Sequence, residues 1–312
     1  MQLRHLLTLL CIATLSALPL SAQVFVGSDN FNDNTLTIQS TGAVNGVAGS
    51  TLNQAAGLWR AENNDVGGDF SETGQRLEYT NSSTSGTLYS SLVWTSPSFS
   101  VNGASSAPNL GIGGSGLSNG APYTSSWSAQ VELSNLTTPA AGYTLAGMEL
   151  YTLTTSNGSN TYFGAYLSND ASNGNRLMVE WGLWNGSTDF TRTPSFFNIG
   201  DNQDVTVRAT FDGSTKVLSY DYSTNGTTFT STGVSYDLDG AQAGLTAPNL
   251  NGIGLSLVGF SNGATGAITS GQMYYDNLSV SAIPEPSTYA AFAGLGALGL
   301  ALWRRRQAKK SA

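Results

Sequence analysis

The sequence predicts an all-β fold, an antiparallel β-sandwich, and three features of residues 23–282 carry the prediction. Short segments alternate apolar and polar residues: Val205, Val207, Ala209 and Phe211 against Thr206, Arg208 and Thr210, then Leu218, Tyr220 and Tyr222, and Leu177, Val179, Trp181 and Leu183. A period of two belongs to a strand with one face in a core. Asn-Gly and Asp-Gly pairs punctuate these segments at 157–158, 173–174, 185–186, 212–213, 225–226, 239–240 and 262–263. Such pairs tolerate the positive φ that tight hairpins need. Finally, no long stretch places apolar residues at helical spacing. The clearest hairpin runs through 205–211, turns at Asp212-Gly213 and returns through 217–222. A dozen or so strands are expected in one domain. Residues 42–74 and 100–122, rich in Gly, Asn and Ser, read as long loops.

The N-terminus precedes this body as a secretory signal peptide, residues 1–22. Arg4 and His5 give a basic start, Leu6 to Leu18 an apolar run, and Leu20-Ser21-Ala22 a small residue at the cleavage edge. The run is too short to span a bilayer comfortably, which favours a cleaved leader, handed to the Sec translocon, over a retained anchor. After the body comes a different apolar segment. Tyr289 to Trp303 carries no charge, and Arg304, Arg305, Arg306, Lys309 and Lys310 follow it. This reads as one short transmembrane helix over about 287–303 with a basic stop-transfer tail, 304–312, left on the cytoplasmic side.

The order Pro284-Glu285-Pro286-Ser287, a Gly/Ala/Leu segment and a terminal Arg cluster resembles the PEP-CTERM sorting signal of Gram-negative bacteria. The resemblance covers residues 283–312. It implies recognition by a membrane-embedded exosortase, cleavage near Pro284-Glu285-Pro286, and transfer of the body to the cell surface or a biofilm matrix of exopolysaccharide.

Composition narrows what the body can do. Its six Lys and Arg face nineteen Asp and Glu, a net charge of −13, so it repels nucleic acid. The only cysteine, Cys11, and the only histidine, His5, both lie in the leader. Disulfides, thiol nucleophiles, Cys/His zinc sites and Ser-His-Asp triads are therefore absent from the body. The body's one lysine, Lys216, sits in an Asp-Gly turn. What remains is carboxylate, tyrosine and oxygen-ligated ion chemistry.

The margins of the body also resemble a family. Asp29-Asn30-Phe31-Asn32 near the mature start, Trp59, and Tyr275-Asp276-Asn277-Leu278-Ser279-Val280 as a last strand are similar to concanavalin A-like (laminin-G-like) jelly rolls. That resemblance implies neighbouring first and last strands and a glycan or polysaccharide ligand.

Two sets of candidate site residues follow. Glycosidases of that fold often carry Glu-x-Asp-x-x-Glu on one strand, and no Glu-x-Asp occurs here. A catalytic pair would have to come from different strands, and only Glu180 and Glu149 lie inside apolar strands. Glu180 and Trp184 share one face of their strand, a carboxylate beside an indole, as a sugar platform requires. The ordinary reading is the preferred one: Glu180 is solvated and Trp184 covers a sheet edge. Calcium is the second candidate, with oxygen ligands from Glu62, Asp65 and Asp69 and from Asp201 and Asp204 in Gly-containing loops, although such residues are usually just solvated. The sequence thus favours a surface protein that binds or scaffolds extracellular polysaccharide. A carboxylate-dependent hydrolase or lyase comes next, and a purely structural matrix protein third.

Overall fold

The computed structural model describes residues 27–32, 58–62, 68–84, 87–95, 126–154, 160–184, 190–200, 202–238, 250–263, 265–283 and 294–303. Fifteen strands among them form two sheets, and every pairing is antiparallel. The eight-stranded sheet runs β13 (Thr230–Asp237), β12 (Val217–Ser223), β11 (Val205–Asp212), β6 (Ser126–Asn135), β15 (Met273–Ile283), β4 (Arg76–Asn81) and β3 (Gly68–Thr73). The short β1 (Gly27–Asp29) also pairs with β15. The seven-stranded sheet runs β10 (Phe190–Asn198), β9 (Gly174–Trp184), β8 (Asn160–Asp170), β7 (Tyr143–Thr154), β14 (Leu250–Asn262), β5 (Thr87–Thr95) and β2 (Leu58–Glu62).

The sheets pack face to face through the alternate residues that the period of two selects. Val205, Val207, Ala209 and Phe211 of β11 are fully buried, with Leu218 and Tyr220 of β12 beside them. Opposite lie Leu177 and Val179 of β9, Phe163 of β8 and Met148 of β7, all in the same core. Removing this much apolar surface from water is the main force holding a body without disulfides together. Hydrogen bonds also cross the core: Tyr220 donates to the Phe163 carbonyl at 3.0 Å and Tyr275 to that of Val258 at 2.5 Å. At one end Asn135 of β6 donates to Thr144 of β7 and to the Leu167 carbonyl of β8, so the corner between sheets is buried yet hydrogen-bonded.

Three expectations need correction. Residues 42–74 are not one long loop, because β2 and β3 form within them. Their alternation was hidden among Asn, Gly and Asp, and pairing with β5 and β4 overrode that weak local propensity. The 205–211/217–222 hairpin exists, but Asp212-Gly213 is not its tight turn. Four residues intervene, the positive φ of 61° falls on Lys216, and the Asp212 carboxylate accepts from the Ser214 and Thr215 amides. Hydrogen bonding by Asp there replaces the glycine conformation. Glu180 is the third correction and belongs to the site below.

The margins noted in the sequence do meet. Asp29 on β1 accepts from the Trp59 indole at 2.8 Å, and Phe31, with a φ of 50°, packs 5.8 Å from that ring. First and last strands are neighbours, with Gly27 opposite Val280. Because the pair is antiparallel, the chain enters β1 at the end of the sheet where β15 leaves it at Ile283, opposite Ser126.

Beyond β15 the described structure resumes as a helix over 294–303, about 15 Å long at ~1.5 Å per residue. Its Leu295, Leu298, Leu300 and Trp303 are exposed. Among the described residues no helix is long and apolar enough to cross a membrane. The expected span, 287–303, is thus described only in part. The leader 1–22, the Pro284-Glu285-Pro286 motif and the basic residues Arg304, Arg305 and Arg306 lie outside the described residues.

Candidate functional site

The site grows from three glycines on the outer face of the seven-stranded sheet. Gly147 of β7, Gly164 of β8 and Gly182 of β9 occupy outward positions in neighbouring strands, where register sets Gly147 opposite Tyr166 and Gly182 opposite Tyr162. A Cβ on Gly147 or Gly164 would stand 2.1–2.2 Å from the Tyr166 side chain, and one on Gly182 2.2 Å from Tyr162. The missing side chains let both rings lie down on the sheet, where they are themselves buried.

Glu149 and Glu180 flank this platform. Gly164 is in register with Glu149 on one side and Glu180 on the other, so the two glutamates share one rung with a glycine between them. Two strand spacings of about 4.8 Å put their Cα atoms roughly 10 Å apart. Tyr166 donates to one Glu149 oxygen at 2.6 Å and Tyr89 of β5 to the other at 3.0 Å. Burial pushes the Tyr166 phenol well up, and the charges of Glu149 and Glu180 push the same way, so it keeps the proton it donates. Both Glu149 oxygens are thus taken by phenol hydrogens, which fixes how the carboxyl group is oriented.

Around them opens a depression of about 240 Å³, lined by Glu149, Glu180, Tyr162 and Tyr166, with Tyr89, Thr87, Leu145, Val258 and Phe260 completing the wall. Leu145, Tyr166 and Met178 form an apolar cluster of their own on this face, with Tyr143 and Phe260 packed against it and stacked 5.5 Å apart. Acidic groups beside apolar surface and ring faces can hold a polyhydroxyl ligand, since the carboxylate accepts from hydroxyls while C–H faces pack on rings.

The structure therefore brings Glu149 and Glu180 together, as a pair drawn from different strands. It also corrects the expectation that Glu180 is solvated: the residue is 1% exposed. Outward-facing positions of β9 are covered as well as inward ones, and a period of two cannot say so. Trp184 is four residues along β9 from Glu180, in register with Asn160 and Phe190, and its side chain lies outside the described residues.

The calcium candidates are described only in part. Glu62 ends β2 opposite Ser91 in one sheet, while Asp69 stands exposed on β3 opposite Thr80 in the other. Asp204 accepts from the Tyr274 phenol at 2.8 Å, and Asp65 and Asp201 lie outside the described residues. Among the described residues no group of three or more Asp, Glu, His or Cys is arranged to hold a metal.

Sequence reasoning missed Tyr89, Tyr162, Tyr166 and Phe260. A usable signal was present in Tyr162-Phe-Gly164-Ala-Tyr166, where alternation sets two tyrosines and a glycine on one face. A glycine between outward aromatics marks close approach of a ring to the backbone.

Comparison with known proteins locates the chain's sorting end. Residues 282–306 match the PEP-CTERM protein-sorting motif. No curated protein matches the chain significantly. Among solved structures, peanut lectin in complex with a nine-residue peptide is similar at 13% identity and a TM-score of 0.45, over 85% of this chain and all of that one. The CBM2 module of the evolved Dit protein of Lactobacillus casei BL23 phage J-1 is similar at 10% identity and 0.45, over 84% and 99%. The GlcNAcα1-4Gal-releasing endo-β-galactosidase of Clostridium perfringens is similar at 10% and 0.40, over 83% and 62%.

Proposed function

We propose that this chain is an exported bacterial surface protein whose body, residues 23–282, binds a neutral extracellular polysaccharide on the outer face of the seven-stranded sheet. The observation that carries the reading is Glu149. Both its oxygens are held by tyrosines inside a depression, and a carboxylate fixed by two phenols is an oriented acceptor for sugar hydroxyls. The depression is smaller than the about 300–1,000 Å³ of cavities for drug-sized ligands. It suits one ring of a longer chain. A body of net charge −13 repels anionic polymers, which leaves neutral ones. Titration of residues 23–282 against a neutral glycan library should give binding that Glu149→Gln weakens at least tenfold. A body that binds no neutral glycan, or a Glu149→Gln variant that binds as well as its parent, overturns the reading.

Delivery follows from the two ends. A cleaved leader takes the body across the inner membrane, and the sorting segment holds it there through the apolar helix until an exosortase cuts near Pro284-Glu285-Pro286. Replacing those three residues by Ala should leave full-length chain in the membrane of an exosortase-positive host. Normal shortening of that variant would remove this part of the proposal.

One observation favours a second reading, a polysaccharide hydrolase. Glu149 and Glu180 share a rung two strands apart and both line the depression, as the paired carboxylates of glycoside hydrolysis flank a scissile bond. Release of reducing ends by the wild-type body, lost in both Glu149→Gln and Glu180→Gln, would support it. No release from any bound glycan would dismiss it.

A further inference from the structure

We infer that pairing with β6 withholds the first residues of the sorting segment, Ala282 and Ile283, so that the cut is made on chains in which the end of β15 has come away from β6. This rests on the sorting reading above. The matched motif begins at Ala282, but β15 continues to Ile283. The motif's first two residues are therefore part of a sheet, Ala282 opposite Trp127 and Ile283 opposite Ser126, and no spacer separates strand from Pro284. A peptidase holds several extended residues on each side of the bond it breaks, and it does so along their backbone edge. Its acyl carbon then goes to water or an acceptor amine, and the departing anchor takes the proton on its new N-terminus. For a bond near Pro284-Glu285-Pro286, the residues it must hold upstream are the ones β6 already holds.

The geometry also says how the end can open. Among the described residues, 281–283 pair with β6, while the described pairing with β1 reaches Gly27 opposite Val280 and that with β4 takes in Tyr274 and Tyr275. Ile283 is exposed. The partner side, by contrast, is fixed: Trp127 is fully buried and stacked 5.6 Å from Phe211, and the Ser126 hydroxyl accepts from the Gly213 amide at 2.9 Å. A strand end frays at lower cost than its middle, while the sheet beside it stays intact. When opening is fast, cleavage follows the population of the open form.

The register supplies the test. Beyond the leader's Cys11 the chain has no cysteine, so Ser126→Cys with Ile283→Cys creates a single cross-strand pair in an oxidising compartment. In an exosortase-positive host the full chain should be processed at least tenfold more slowly when that pair is oxidised, and at the parental rate when dithiothreitol is added. A second variant needs no disulfide: Gly-Ser-Gly-Ser inserted between Ile283 and Pro284 should shorten the processing half-time several-fold. Equal rates for the oxidised and reduced pair, or an unchanged rate with the spacer, overturn the inference. Replacing Pro284, Glu285 and Pro286 by Ala must abolish processing in both backgrounds. If it does not, the sorting reading fails rather than the shielding.

Discussion

The outer faces of the two sheets are written in the same alternating code and end in different states. On the eight-stranded sheet the outward residues are mixed: Glu78 and Thr206 are buried, while Arg208, Thr210, Ser219 and Asp221 stay partly exposed. Arg208 pairs with Asp221 at 2.8 Å and lies 3.8 Å over the Phe229 ring, Arg76 lies 4.1 Å over Tyr274, and Thr210 is half-buried. On the seven-stranded sheet the outward Met178, Glu180, Tyr162 and Tyr166 are buried. The difference lies in the residues between. Glycines at 147, 164 and 182 let two tyrosines lie flat and close over their neighbours, whereas Arg208, Thr210, Ser219 and Asp221 on β11 and β12 keep part of their surface in solvent. An outward face made of glycine and aromatics becomes a second interior around two carboxylates, and that is where the depression opens.

The largest effect expected is on the shared core. Phe211→Ala should cost about 3–5 kcal/mol in chemical denaturation of residues 23–282, because it leaves a cavity against the stacked Trp127. A loss below about 1 kcal/mol would mean that the two sheets do not pack through this strand.

Next come changes that separate the two outer faces. Tyr166→Phe removes one of the two phenols on Glu149 and should cost about 1.5–3 kcal/mol, as for a hydrogen bond to a charged group. It should also weaken glycan binding, and an unchanged stability would make the outer face ordinary surface. Gly164→Ala forces a Cβ into the Tyr166 ring and should cost about 1–3 kcal/mol. If it is neutral, the ring does not lie where the geometry puts it.

Smaller effects are expected from titration on the eight-stranded sheet, where two carboxylates respond with opposite signs. Burial, with Asp204 and Asp276 beside it, raises the Glu132 carboxyl above its ordinary 4.5, so the folded state holds that proton more tightly than the unfolded one. Stability then falls as pH rises through the window above about 4.5. Glu132→Gln should be more stable than its parent at about pH 7 and lose that advantage below about pH 4.5. Burial pushes the Glu78 carboxyl up too, but Ser270, Arg76 and the Gly271 amide together bring it below 4.5. Glu78 therefore stabilises above about 4.5 and loses that as pH falls. Glu78→Gln should be less stable at about pH 7, with the deficit closing in acid. Paired melts of both variants across about pH 3–8 check the signs, and parallel curves would refute both. The smallest effect belongs to Thr210→Ala, within about 1 kcal/mol at an exposed-side strand position.

How much of this was readable beforehand can be followed residue by residue. The inward set of β11, β12 and β9 was legible because burial on one face imposes a period of two that no other force imposes. The hairpin at 205–222 was legible for the same reason, though its turn was not, since Asp212 capping and glycine conformations are alternative routes to one reversal. Strands β2 and β3 were illegible, because their order comes from partners distant in sequence. For the site, Glu149 and Glu180 could be named as the two carboxylates inside apolar strands, but their meeting could not be derived. Neighbourhood across β7, β8 and β9 is a matter of sheet register.

The sequence by itself determined the class of fold, the chemistry excluded by a body without cysteine or histidine, and the sorting motif at 282–306. Each of these is local: alternation, composition and a contiguous motif need no knowledge of distant residues. Tertiary structure alone decided that Gly164 stands between two glutamates, that Tyr162, Tyr166, Met178 and Glu180 on an outer face are buried, and that the sorting motif starts inside a paired strand. Those depend on which strands lie side by side and in what register. That choice is made by the summed packing of two whole sheets, which no single segment encodes.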